Sequence, residues 1–203
     1  MNSYEGNFIA VEGIDGCGTT TLCENLQGEL NGGYIWTKEP SEGIYGQFVR
    51  ERLNDDEATP ADFFAFLADR YEHCANVIEP ALENGTNVIT DRYDLSTYAY
   101  QSRMLDEELG IIDPFNYIDE MSYHFSVEPD IYFYIQISVD EAIARMNNMN
   151  DKYETRERLE EAKRVYDYLS NEKDNIHRIP GKWSKNDITR EALRKIQAMN
   201  HEG

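Results

Sequence analysis

Short apolar runs alternate with longer stretches of helical spacing along the whole chain. Asn7 to Val11 reads as a buried first strand, and Thr19 to Leu30 as a helix closed by Asn31-Gly32-Gly33. Tyr34 to Lys38, Asn87 to Thr90, the aromatic-rich Asp130 to Ile137 and Ile176 to Ile179 supply four more strands. Between them the spacing predicts helices over Tyr45 to Leu53, and over Ala61 to Glu79 with a continuation past Pro80 that Asn84-Gly85 ends. Ser96 to Gln101 starts a helix and gives way to a less regular stretch up to Pro114, after which a helix runs to about Ser126. Val139 to Met146, the charged Arg156 to Ser170 and the closing Asp187 to Met199 complete the set, with a polar break over Asn147 to Lys152 that composition alone reads as a plain loop. Strands alternating with helices predict an α/β fold with a parallel five-stranded sheet and helices on both faces. The 203 residues hold no long Pro/Ser/Gly linker and no internal repeat, so one domain over residues 1–203 is expected.

The junction after the first strand carries the most chemistry. Glu12-Gly13-Ile-Asp15-Gly16-Cys17-Gly18-Thr19-Thr20-Thr21 joins an apolar run to a helix through three glycines. A loop that wraps a phosphate must point successive N–H groups inward, which needs backbone angles and a closeness of approach that side chains obstruct. The helix behind it adds unpaired N–H groups and a positive dipole end. Gly13, Gly18 and Thr20 match G-x-x-x-x-G-K-[ST], with Thr20 as the hydroxyl expected at Mg²⁺, but Thr19 replaces the lysine. The glycine spacing is not that of a dinucleotide fingerprint.

Charge narrows the partners. Nineteen basic against 39 acidic residues give a formal net charge of -20, which repels nucleic acid and anionic membranes. The acid is scattered through ordered segments, a pattern suited to concentrated salt, where screening shortens to about 3 Å at 1 M. Cys17, Cys23 and Cys74 have neither metal-site nor disulfide spacing, and no signal-like or membrane-spanning run is present, so a soluble, cytoplasmic protein is expected.

Further polar groups follow other strand ends: Glu39-Pro40, then Asp91-Arg92, then the Asn147 to Arg158 segment. Asp91 is placed to hold Mg²⁺ opposite Thr20, and Arg92 to neutralise a phosphate. Phe66 and Arg70 share a helical face four residues apart, offering a stacking surface and a donor for a base.

These residues resemble the thymidylate kinases, enzymes that move the γ-phosphoryl of ATP to dTMP. The resemblance covers nearly the whole chain, through Glu12 to Gly18, Thr37-Lys-Glu-Pro40, Phe66-Leu-Ala-Asp-Arg70 and, most specifically, Asp91-Arg-Tyr-Asp-Leu-Ser-Thr-Tyr-Ala-Tyr-Gln101. It implies a P-loop NTPase fold, ATP bound by Gly13, Gly16, Cys17, Gly18, Thr19, Thr20 and Thr21, and Mg²⁺ at Thr20 and Asp91. On the acceptor side it implies that Asp15 holds the 3′-hydroxyl of dTMP, Phe66 stacks on thymine and Arg70 reads O4. Arg50 and Arg92 would bind the acceptor phosphate beside Glu39 and Pro40, Ser96, Thr97 and Gln101 would line the base, and Tyr100 would leave no room for a 2′-hydroxyl. A homodimer is implied as well, and the polar break becomes a lid over about 146–157.

Two departures concern charge. Cys17 stands in the loop, and the lid reads Asn147-Asn-Met-Asn-Asp-Lys152 where relatives without a loop arginine carry arginines. Arg145, Lys152, Arg156 and Arg158 remain as catalytic cations in the place of the missing lysine, and a K⁺ ion beside the Thr19 hydroxyl is the other candidate. Alternatives to the dTMP reading are a kinase for another deoxynucleotide or nucleoside, and an inactive nucleotide binder.

Overall fold

A computed structural model describes residues 4–55, 58–146 and 153–202. Its centre is Phe8–Glu12 (β1), five residues buried without exception. Burial of successive residues means that both faces of the strand are covered, because side chains alternate sides along a strand. Tyr34–Lys38 (β2), Asn87–Asp91 (β3), Ile131–Gln136 (β4) and Ile176–Pro180 (β5) complete one parallel sheet in the order β2-β3-β1-β4-β5. The order reverses at β1, so the crevice beyond its carboxyl end is where ligands bind in folds of this kind. Val11 pairs with Asp91 on one side and Phe133 on the other, which sets the loop after β1 directly beside the end of β3.

Thr19–Glu29 (α1) lies against β1 and β3 and packs on Lys185–Glu202 (α9). Pro60–His73 (α3), Asp94–Leu109 (α5) and Arg156–Glu172 (α8) pack in succession, with Ile44–Arg52 (α2) on α3 and Pro114–Ser122 (α6) on α5. Glu79–Glu83 (α4) and Val139–Arg145 (α7) are the short members.

Three boundaries differ from the sequence reading. α5 does not fade after Gln101 but continues to Leu109, because Tyr98, Gln101, Ser102 and Leu105 fall on one face and are buried. Gly110 closes it at φ 67, a left-handed conformation that glycine adopts freely. α6 stops at Ser122, where the hydroxyl turns back to the Ile118 carbonyl and a turn takes over. The long helix from Pro60 reaches Glu83, but through a π-helical turn at Cys74–Ile78. Pro80 has no N–H to give to a carbonyl four residues back, and the wider turn lies immediately ahead of it.

Candidate active site

The loop after β1 is shaped by crowding. At Gly13, φ is 153° and an added Cβ would lie 2.9 Å from the Ile135 carbonyl oxygen. At Gly16, φ is 77° and a Cβ would meet the Ala142 carbonyl oxygen at 2.5 Å. Glycine is therefore required at both on two counts. Cys17 turns inward, and burial pushes its thiol up to about 12, so it is a packing group and not a nucleophile. Gly18 precedes α1, and Thr19, in the lysine position, is buried.

Thr20 Oγ1 donates to Asp91 Oδ2 at 2.5 Å, and Asp91 Oδ1 is buried with no hydrogen-bond partner. A hydroxyl and an unsatisfied carboxylate oxygen beside a phosphate loop match a magnesium ion, which takes one or two protein oxygens and completes its shell with phosphates and water.

Arg92 follows with φ 70, an uncommon conformation for a residue with a side chain. Its N–H is held by the Val11 carbonyl, while its guanidinium donates to the Gly13 carbonyl at 2.6 Å and to Asp15 Oδ1 at 2.5 Å. Asp15 Oδ2 accepts from Tyr100 Oη at 2.7 Å, and the Arg92 guanidinium lies 5.8 Å from the Tyr100 ring centre. Asp15 and Arg92 line two cavities at once. One, of about 640 Å³, runs from the phosphate loop to the segment after β5. The other, a slot of about 150 Å³, is lined by Phe66, Arg70, Thr97, Tyr100, Gln101 and Tyr153 among others.

The floor of the slot is a buried charge network. Arg70 Nη2 and Nε donate to Glu39 Oε2 at 2.7 and 3.1 Å, and Nη1 donates to Thr97 Oγ1 at 3.0 Å. His73 Nδ1 lies 3.1 Å from Glu39 Oε1, and its Nε2 lies 2.7 Å from Thr37 Oγ1. Burial pushes the Glu39 carboxyl up, but Arg70 and His73 outweigh it and hold the group below its ordinary value. At the wall, Gln101 Oε1 is buried with no partner.

A family model for thymidylate kinase matches residues 11–192. The probable thymidylate kinase of Natronomonas pharaonis is 32% identical over 196 residues, covering 95% of this chain and 98% of that protein. The thymidylate kinase of Brachyspira hyodysenteriae is 30% identical over 201 residues, covering 95% and 94%. The chain belongs to the thymidylate kinase family. The solved thymidylate kinase of Candida albicans shares the fold, with a TM-score of 0.83 at 21% identity over 99% of this chain and 95% of that one.

The residues singled out by the family resemblance fall into groups. Asp15, Glu39, Pro40, Phe66, Arg70, Arg92, Ser96, Thr97, Tyr100 and Gln101 come together around the slot, and Gly16 through Thr21 line the larger cavity. Arg50 stands back from the slot, with Nη1 donating to the Pro40 and Ser41 carbonyls at 2.8 and 2.6 Å. Arg145 lines the larger cavity, donating to the Cys17 carbonyl at 3.1 Å and the Gly181 carbonyl at 2.8 Å. Arg156 is turned away, 2.8 Å from Asp140 and 3.7 Å from Glu160, and is more than half exposed. Lys152 lies outside the described residues, as does half of the expected lid.

Sequence reasoning missed three parts of this kinase. Glu12 is fully buried and accepts from the Tyr93 N–H, the Ser96 hydroxyl and the Tyr166 hydroxyl at 2.8 to 2.9 Å. Burial drives its carboxyl up to about 7, against the pull of Arg92. Tyr153 covers the slot, with its ring 5.9 Å from that of Tyr100 and its hydroxyl donating to Asp62 Oδ2 at 3.2 Å. Trp183 lines the larger cavity. Glu12 opens the phosphate-loop motif, but its burial and its distant partners are not written there, and Tyr153 and Trp183 belong to no motif; the available signals were an acid at the end of an apolar strand and aromatics beside strand or lid ends.

Proposed function

We propose that the larger cavity holds ATP, the slot holds dTMP, and Asp15 and Arg92 mark where the γ-phosphoryl passes between them. The observation that carries this is the sharing of those two residues by both cavities, at the phosphate loop. In-line transfer asks the protein mainly to position the two nucleotides and to stabilise charge. The loop residues that line the larger cavity, Gly16 to Thr21, cradle the donor phosphates, with the Cys17 N–H held back by the Ile14 carbonyl. Arg92, fixed by the Gly13 carbonyl and Asp15, presents its remaining N–H groups to the acceptor phosphate, with Arg50 behind it. Thr20 and Asp91 would hold Mg²⁺, which when bound neutralises charge on the donor phosphates. Phe66 supplies a face for thymine, and the unpartnered Gln101 oxygen an acceptor for a ring N–H. Tyr100, tied to Asp15, closes the space beside the sugar and so favours deoxynucleotides.

Thr19 brings no charge, and Arg145 is the cation anchored to the loop in its stead, through the Cys17 carbonyl. Arg156 would first have to leave Asp140. A K⁺ ion at Thr19 is the alternative source, and activity compared in potassium and choline chlorides at equal ionic strength separates the two.

The scattered acid supports a salt-adapted protein, and the exposed Ile44, Tyr45, Phe48, Phe64 and Tyr71 on the adjoining α2 and α3 support a homodimer through that face. No helix among the described residues is long and apolar enough to cross a membrane, and a cytoplasmic site fits the free cysteines. The test is ADP release in molar KCl with dTMP, dCMP, dGMP and thymidine as acceptors. dTMP is expected to be preferred; equal rates with dCMP or dGMP overturn the assignment of the slot.

A further inference from the structure

Gln101 stands in the wall of the slot with its amide oxygen buried and unpartnered. The oxygen and the NH₂ group of an amide occupy nearly the same space, so packing does not choose which of them faces inward. The choice decides which base edge the wall accepts, and hydrogen-bond partners have to fix it.

Those partners lie behind the wall, and their bonds run in one direction. Asp62, buried in the first turn of α3, accepts from Arg52 Nε at 2.6 Å, from the Thr59 N–H at 2.9 Å and from Tyr153 Oη at 3.2 Å. A carboxylate paired with a guanidinium has no hydrogen to give back. The Tyr153 hydroxyl therefore spends its one hydrogen on Asp62, and its oxygen is left to accept. Gln101 meets that oxygen: burial and the charge of Asp62 push the Tyr153 hydroxyl up, while a hydrogen bond from the Gln101 side chain pulls the other way. A bond that favours the ionised phenol is one donated to its oxygen, which is the work of Nε2 and not of Oε1. The amide end left without a partner is then the oxygen, as observed. The Tyr153 ring is held in turn, edge-on at 5.9 Å from Tyr100 and with the Arg158 guanidinium 5.5 Å from its centre.

We infer that Tyr153 and Asp62 are positioning residues for base selection, locking the Gln101 amide with its oxygen toward the slot so that the wall accepts a ring N–H and rejects a ring lone pair. The inference rests on reading the slot as the acceptor-nucleotide site. Thymine presents N3–H beside the O4 carbonyl, a donor next to an acceptor. Cytosine presents the reverse, a bare N3 beside an amino group. Against the locked amide the cytosine edge sets two lone pairs face to face and leaves a buried oxygen unsatisfied. Arg70 repeats the selection at the neighbouring position, because its N–H groups beyond those given to Glu39 and Thr97 suit a carbonyl and not an amino group. Arg52 and Asp62 do not line the slot, so part of the selection is made behind its wall.

The discriminating probe is 5-methyl-dCMP, which matches dTMP in shape and in its methyl group and differs at the base edge. By calorimetry in molar KCl, the parent should bind dTMP at least tenfold more tightly than 5-methyl-dCMP. Tyr153→Phe keeps the ring and removes the hydroxyl; the amide is then free to turn over, and that ratio should fall about 3- to 10-fold, with the Kd for ADP within a factor of two. In a Gln101→Leu background the same change should leave the ratio where it is, because no amide remains to be oriented. A ratio unmoved by Tyr153→Phe, or one that falls equally with and without Gln101, overturns the relay and leaves Tyr153 a covering side chain. Should Tyr153→Phe fail to fold by circular dichroism, Gln101→Leu still decides: it should cut the parent ratio at least threefold, and a variant as selective as the parent overturns the role of the amide. A parent that does not prefer dTMP to 5-methyl-dCMP would instead overturn the acceptor-site reading on which the inference stands.

Discussion

Truncating Arg70 to alanine removes the guanidinium that neutralises Glu39 inside the protein, where the two side chains are 1% and 4% exposed. What is left is a carboxylate cut off from water, with the His73 ring as its remaining hydrogen-bond neighbour. Breaking a buried pair on one side costs about 3–5 kcal/mol, far more than the pair contributes relative to an apolar replacement. At about 2–4 °C per kcal/mol for a domain of this size, the melting temperature should fall by roughly 6–20 °C. The pH dependence has a definite sign. In the intact protein Glu39 is held low, so its contribution is present above the ordinary carboxylate range and fades as pH falls through the depressed value. In Arg70→Ala the same carboxyl is raised by burial, so the folded state prefers it protonated, and the deficit against the parent should widen as pH rises from 5 to 8. Urea unfolding in fixed 2 M KCl, followed by circular dichroism, reads both effects. The double variant Arg70→Ala/Glu39→Gln should recover part of the loss, because no charge is then stranded. A single variant within 1 kcal/mol of the parent throughout that pH range, or a double variant no better than the single one, refutes the reasoning.

Glu12, raised to about 7 by burial, contributes stability at low pH that is lost as pH climbs through that value; Glu12→Gln should flatten the stability profile between pH 5 and 8. From an ordinary 4.5 to about 7, at 1.36 kcal/mol per pH unit, the difference amounts to about 3 kcal/mol. Asp91→Asn should lower kcat at least a hundredfold and raise the Mg²⁺ needed for half-maximal rate, while ADP binding without metal changes little; a wild-type Mg²⁺ titration would remove Asp91 from the metal site. The melting temperature of the parent should rise between dilute buffer and 2 M KCl, since a net charge of -20 repels itself when unscreened, and a flat or falling curve would count against salt adaptation. Phe48→Glu, on the exposed apolar face of α2, should yield a monomer by light scattering where the parent is a dimer; a monomeric parent removes the proposed interface.

The strands were legible because each is a short apolar run bounded by turn residues, and the loop after β1 because three glycines in that spacing have few other uses. α5 was not followed to its end because Asp106-Glu107-Glu108 looks like a break. These acids are the solvent face of a helix whose buried face carries Met104 and Leu105. Contiguous parts of the site could be read from the chain, among them Asp91-Arg92 and the Phe66/Arg70 pair. Parts assembled across the fold could not. Glu12 meets Tyr166 from 154 residues away and Tyr153 meets Asp62 from 91, and nothing local to either residue announces the partner. Arg70 was legible as a site residue, but not the degree to which Glu39 and Thr97 already occupy its donors.

The π-helical turn at Cys74–Ile78 sets a phase between two jobs done by one continuous helical segment. Upstream of it, Arg70 and His73 must face Glu39; downstream, Ala81 and Leu82 must face the core. A regular helix advances about 100° per residue, so the wide turn acts as a fixed angular offset between those two faces. Substitutions inside the turn that keep its length leave that offset in place. A one-residue deletion would not: the turn could relax to an ordinary helix, locally more regular, and in doing so swing either the acceptor-side arginine or the core leucine out of register. Chain length at this point, rather than composition, is therefore what the floor of the slot depends on.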